Sequence, residues 1–250
     1  FRRGELVAVV SDKYNYREGL VNDIYMGLAL VNKPAMIDDS KIPVVIDISF
    51  GESAKPYQEK MLFRYQELTG DTTSLDYHLL HHRGYRYFSY LVSDASLYKL
   101  SDLISYICGV EASGHEIHLL TIGDLSTISR LDRIGNTLSL SEILRRMRYF
   151  FDERGCTVVT SLPIDESIKS HTFDDTEHKL KEVSRHNAFG DDRHITQTVD
   201  TTLLLSLENE ELHVHCGKHR GSIMKDDTTI ISMDGCRFMF DEPFVERIPE

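Results

Sequence analysis

The sequence predicts an α/β fold: a mainly parallel sheet flanked by helices, with antiparallel strands at its C-terminal edge. Three observations carry this. Strand-length apolar runs alternate with stretches of helical period from residue 5 to residue 162. The strand runs are apolar nearly throughout, as in strands covered on both faces. After residue 200 short strands follow one another with no helix between them, which predicts antiparallel pairing at one edge.

The first strand is predicted over Glu5 to Ser11, and a helix over about Arg17 to Val31 places Leu20, Ile24, Leu28 and Val31 on one face. "IPVVIDISF" (Ile42 to Phe50) reads as a buried second strand, and "SAKPYQEKMLFRYQELTG" as a helix ended by Gly70. Tyr85 to Val92 is the third strand, and Leu97, Leu100, Leu103, Ile104, Ile107 and Val110 pattern the next helix. The fourth strand is Glu116 to Ile122. A helix over Ser139 to Arg154 has Leu140, Ile143, Leu144, Met147, Phe150 and Phe151 on its apolar side and Gly155 past its end. Cys156 to Leu162 is a further strand. From Pro163 to Asp200 the polar, aperiodic chain predicts loops with at most a short helix near Glu177 to Ser184, and "TTLLLSL", "LHVHCGK", "TTIISM" and "CRFMFD" predict the closing strands.

With 250 residues and 41% hydrophobic content, residues 1–250 are expected to form a single domain with a full core. The opening "FRRGEL" has no Met and leads almost at once into a strand, suggesting a core taken from a longer chain. No stretch approaches the roughly 18 apolar residues of a membrane span, and there is no signal-peptide pattern at the N-terminus, so no membrane partner and a cytoplasmic location are expected. Cys108, Cys156, Cys216 and Cys236 form no CxxC pair and read as buried thiols rather than a disulfide framework or zinc knuckle. A net charge of -12 repels phosphate backbones, so DNA contact would have to come from local basic loops.

Four stretches in order resemble the ATPase core of DnaB-type replicative DNA helicases, ring-forming members of the RecA-like P-loop NTPase fold. "GELVAVV" is similar to the strand before that family's phosphate loop. "LSLSEILRRMRYFFDERGCTVVTSL" resembles the long helix and strand after its Walker B. "ITQTVDTTLLLSL" resembles a later strand, and "KHRGS" its basic turn. The resemblance implies a hexameric ring, ATP with magnesium, and self-association or pairing with a related helicase subunit.

The catalytic positions depart from that pattern. A phosphate loop needs glycines whose backbone N–H groups curl around phosphate, a lysine for the outer phosphates and a hydroxyl for magnesium. Laid over this sequence without gaps, the family's Gly-Lys-Thr falls on Tyr16, Arg17 and Glu18. Tyr16 carries a side chain where backbone must approach, and Glu18 puts a carboxylate where the hydroxyl belongs. A carboxylate about 4 Å from a phosphate charge costs about 4 kcal/mol at an effective dielectric of ~20. Glu18 itself suits the helix N-terminus and can occupy the anion position. Read without the resemblance, "SDKYNYRE" is a capped helix start, with Asn15 or Ser11 as cap.

The general-base glutamate falls on Gly51, with Glu52 one residue along. The Walker B aspartate falls on Thr121, with Asp124 three residues later, and the polar sensor falls on or beside Pro163. Lys218 and Arg220 match the family's lysine and arginine, spaced by one residue, which serve as a finger in the neighbouring subunit's site; otherwise "GKHRG" is an exposed basic turn. No bound cofactor is expected, and ATP with magnesium only if the site proves active.

Smaller signals have plainer readings. His213, His215, Cys216 and His219 could suggest a metal, but Cys216 points away from the two strand histidines, and a polar face alternating with Leu212, Val214 and Cys216 inside explains them. No metal is expected. "HLLHHRGYRYFSY" has the composition of a single-strand stacking platform, though ordinary Tyr packing accounts for it. The loop from Asp165 to His194 mixes Lys169, Lys179, Lys181, Arg185 and Arg193 with acids, which suits solvation as well as DNA contact.

Three functions follow: a DnaB-like core that has lost its own ATPase and serves as an assembly or accessory subunit in replication; a working ATP-driven helicase using Arg17 for lysine and Asp124 or Glu52 as acids; or an interaction module. A phage source, and so a phage-infected bacterial cell, would suit a chain this divergent.

Overall fold

The computed structural model describes residues 3–11, 20–21, 24, 35–51, 54–69, 85–132, 134–165, 179–181, 183, 188–189, 193–208, 211–219, 228–234 and 237–238. Strands β1 (Leu6–Ser11), β2 (Ile42–Phe50), β3 (Arg86–Val92), β4 (His115–Ile122), β5 (Thr157–Pro163), β6 (Thr201–Glu208), β7 (Glu211–His219), β8 (Thr228–Asp234) and β9 (Arg237–Phe238) form one nine-stranded sheet in the order β3-β2-β4-β5-β1-β6-β7-β8-β9. The strands from β3 to β6 in that order run parallel, and β7, β8 and β9 close the edge antiparallel. This is the predicted mixed sheet.

Helices α1 (Ala54–Thr69), α2 (Leu100–Ala112), α3 (Leu140–Asp152) and the short α4 (Arg193–Thr198) accompany the sheet. Strand alternation divides the core into two layers. Leu6, Ala8, Val10, Ile46, Ile48 and Leu120 pack with Leu103 and Ile107 of α2 and Ile143 and Met147 of α3. Val7, Val9, Val45, Leu119 and Val159 face the opposite way, toward Tyr57, Met61 and Tyr65 of α1 and the helical residues Leu20 and Val21. Each side chain so buried contributes roughly 1.5–3 kcal/mol, so the layers on both faces dominate the fold. The start of α3 is set by Ser139, whose Oγ accepts from the Glu142 amide at 3.1 Å, and Gly155 just beyond takes a φ of 57°. Among the described residues no helix is long and apolar enough to cross a membrane.

Several expectations are corrected. Leu97 is not on the apolar face of α2: a separate 3-10 turn, Ala95–Leu97, is capped by Asp94, and Leu97 is 74% exposed. Cys108 is exposed on α2, whereas Cys156 is buried and Cys216 partly so. α4 lies where only loop was expected; residues 179–181 and 183 fall in the predicted short helix and are helical. The face of β7 carrying His213 and His215 is not simply a solvated polar one, for His215 is 1% exposed. Most of the predicted Arg17 to Val31 helix lies outside the described residues, although Leu20, Val21 and Ile24 are helical.

Candidate functional site

β2 reads as apolar, yet its centre is an acid. Asp47, 3% exposed, is in register with Thr121 of β4, and the same row continues through Val159 of β5 to Val7 of β1. Burying a carboxylate costs several kcal/mol unless strong donors meet it. Two hydroxyls do so: that of Thr121 donates to Oδ1 and that of Tyr57 on α1 to Oδ2. The Tyr57 hydroxyl also lies 3.1 Å from that of Tyr87 on β3. Burial, with the Asp47 carboxylate beside it, pushes the Tyr57 phenol far above its ordinary range, so it keeps its proton and donates.

The meeting of Thr121 with Asp47 depends on a bulge. The β2–β4 register shifts between Val44 and Val45, Val44 opposing Ile117 and Val45 opposing Leu119. Ile117 therefore belongs to the α2/α3 layer and Leu119 to the α1 layer. The extra residue, His118, reverses the alternation, so Thr121 faces α1 rather than α3.

Beyond this row lies the carboxyl rim of the parallel strands, where open α/β sheets bind ligands. Asp124, 4% exposed, is occupied in its own turn: its Oδ1 accepts from the Ser126 amide at 2.8 Å and its carbonyl from the Thr127 hydroxyl at 2.6 Å. Gly51 has a φ of 75° and donates its amide to the Val92 carbonyl at 2.8 Å, a left-handed turn that favours glycine. Pro163 ends β5 in register with Ser11, which ends β1. Tyr16, Arg17, Glu18, Glu52 and Arg220 lie outside the described residues.

Lys218 sits at the other end of the sheet. A second bulge, between Thr202 and Leu203, sets Lys218 opposite Thr202 near the amino end of β6. Its ammonium donates to the Thr196 and Val199 carbonyls at the end of α4. Burial lowers its pKa, and Asp200 partly offsets that. Asp200 accepts from the Leu6 amide at 3.0 Å and pairs with Arg148 of α3 at 2.9 Å, binding the start of β1 to α3. A similar clamp holds the start of β4, where Glu116 accepts from the Ile37 and Asp38 amides and from Arg3 at 2.8 Å, with His118 Nε2 at 3.1 Å. Burial acts to raise the Glu116 pKa, but those amides and the Arg3 guanidinium outweigh it and leave it lowered; burial, with Arg3 nearby, lowers that of His118.

The aromatic residues of β3 are used for packing: Tyr90 stacks on Tyr106 at 4.4 Å, and Phe88 meets His115 edge-on at 5.2 Å. Among the described residues no group of three His, Cys, Asp or Glu side chains could hold a metal ion. Magnesium chemistry asks for a carboxylate presented to the cleft, and the described candidates do not fit: Thr121 has no charge, Asp47 is enclosed under α1, and Asp124 is committed to its turn.

Comparison with solved structures gives the fold. The chain is similar to a solved ATPase domain, with a TM-score of 0.62 and 13% identity over 97% of this chain and 86% of that one. It is also similar to a DnaB-like replicative helicase whose structure covers its interactions with primase, with a TM-score of 0.55 and 13% identity over 95% of this chain and 57% of that one, so it spans little more than half of that protein. No curated protein matches it. The family described as "Divergent DnaB-like ATPase" matches residues 1–242. With the strand order, the two-layer core and this match together, the chain belongs to the divergent DnaB-like ATPase family.

Proposed function

We propose that residues 1–250 form a single DnaB-like core domain with a degenerate nucleotide site, acting as a non-hydrolysing assembly or accessory subunit in DNA replication. The observation that supports this reading is the fate of the acids around β4. Thr121 stands in the Walker B position with its hydroxyl given to Asp47, and Asp124 is folded into its own turn. Without a presented carboxylate, magnesium and its ordered water lack their anchor. Tyr16, Arg17 and Glu18 in place of the glycine, lysine and hydroxyl residue argue the same way.

Self-association, or placement beside a related helicase subunit in a ring, goes with this role. Lys218 lies toward the amino ends of the parallel strands, away from its own carboxyl rim. A head-to-tail, heterologous contact would turn that end toward a neighbour's rim, where Lys218 and Arg220 could act in trans once the Lys218 ammonium left its own carbonyls. DNA contact would come through loops, and a primase-type partner is suggested by the similar replicative helicase and its interactions with primase.

Calorimetric titration with Mg-ATP and Mg-ADP tests the degenerate site. Silence at micromolar concentrations is expected; micromolar binding would refute the degenerate-site reading and favour the ATP-driven helicase. Lys218→Ala is expected to lower the ATPase of a mixed ring with a competent subunit, and an unchanged rate would remove the in-trans role.

A further inference from the structure

We infer that Asp47 is a buried anchoring acid that fixes α1 against β2 and β4 through the Tyr57 and Thr121 hydroxyls, so that α1 is held on the sheet by protein hydrogen bonds rather than by a metal ion. This goes beyond the proposed function, and it would stand even if nucleotide were found to bind.

Three elements meet at one carboxylate, and a fourth is joined through Tyr57. Asp47 belongs to β2, Thr121 to β4 and Tyr57 to the first half of α1, while the Tyr57–Tyr87 contact of 3.1 Å extends the chain of hydroxyls to β3. All three principal members are nearly inaccessible: Asp47 at 3%, Thr121 at 0% and Tyr57 at 1%. Their neighbours are the apolar side chains of the α1 layer. In such surroundings a valine at 121 or a phenylalanine at 57 would serve packing alone, so the hydroxyls answer to the acid. Charge-assisted bonds of this kind are short, directional and strengthened by low local dielectric.

The bulge at His118 is a second, independent observation. An extra residue disrupts the ladder between two central strands, and it brings Thr121 to the α1 side. With regular alternation from Ile117, Thr121 would enter the α2/α3 layer, far from Asp47 in orientation, and the acid would lose its cross-strand donor.

The test is an exchange across the strand pair. Thr121→Asp places two carboxylates side by side and is expected to lower the melting temperature by at least about 10 °C, whereas Asp47→Thr combined with Thr121→Asp should recover at least half of the loss. If the single variant is insoluble, soluble double variant counts as the same rescue. Asp47→Asn is expected to speed amide hydrogen exchange in α1 several-fold while leaving α2 and α3 unchanged, and the wild-type protein should show the same α1 protection in magnesium as in EDTA. A Thr121→Asp protein that melts like the wild type would overturn the inference. So would exchange in Asp47→Asn that rises equally in all three helices, or α1 protection that requires magnesium; the exchange measurements decide the matter even where neither the single nor the double variant folds.

Discussion

The two ends of the parallel sheet treat their acids differently. At the amino edge, Glu116 and Asp200 are met by guanidinium groups and backbone amides. Toward the carboxyl half, Asp47 accepts from the Thr121 and Tyr57 hydroxyls, and Asp124 accepts from the amide of its own turn with the Arg130 guanidinium near it. The amino edge thus works as a charged clamp that joins chain segments far apart in sequence. The carboxyl half, where this fold ordinarily carries chemistry, has drawn its described acids inward. In the first region charge serves architecture openly, while in the second the acids are buried among hydroxyls and turn backbone.

The contrast can be broken most sharply at Asp200. Replacing Arg148 with Ala takes the guanidinium from a nearly inaccessible carboxylate, and urea denaturation is expected to show a loss of about 3–5 kcal/mol. Tyr57→Phe, which keeps the ring but removes one donor to Asp47, should cost about 1–3 kcal/mol by the same measurement. If the Phe variant proved as costly as Arg148→Ala, the two regions would not differ as described.

The pH dependence sharpens the same contrast. The His118 pKa is lowered from its ordinary 6.5, so the fold favours the neutral ring; that contribution is complete above the unfolded value and is lost as pH falls through the folded one. Glu116, lowered from 4.5, adds a second loss at more acidic pH. Thermal melting between pH 8 and pH 2 should therefore decline in two stages, and His118→Gln should flatten the first. The smallest effect is expected at Ile134, 84% exposed in the loop after β4: Ile134→Ser should change stability by no more than about 0.5 kcal/mol.

Much of this architecture was legible from the chain. Buried parallel strands announce themselves as apolar runs, and α3 by its apolar face, its Ser139 cap and Gly155. The family resemblance led to the same fold, and the match over residues 1–242 bears it out. What escaped was local. Asp47 is a lone acid in "IPVVIDISF", and that is the signal that could have found it, because a carboxylate in a strand covered on both faces requires partners. Tyr57 could not be paired with it from sequence, since the contact joins a helix to a strand. The bulges at His118 and before Lys218 leave no mark in composition, yet they decide which way Thr121 and Lys218 face. α4 was missed because six residues are too few to establish a period.

The His118 bulge also sets how this chain tolerates insertion and deletion. Losing His118 would make the ladder regular and keep Thr121 beside Asp47, whereas regular pairing with His118 retained would turn Thr121 half a turn, sending a hydroxyl into hydrocarbon and leaving an anion short of a donor. In a parallel strand of this kind, the quantity to preserve is phase rather than length, and two chains can agree letter for letter downstream of such a kink while presenting opposite sides to the cleft.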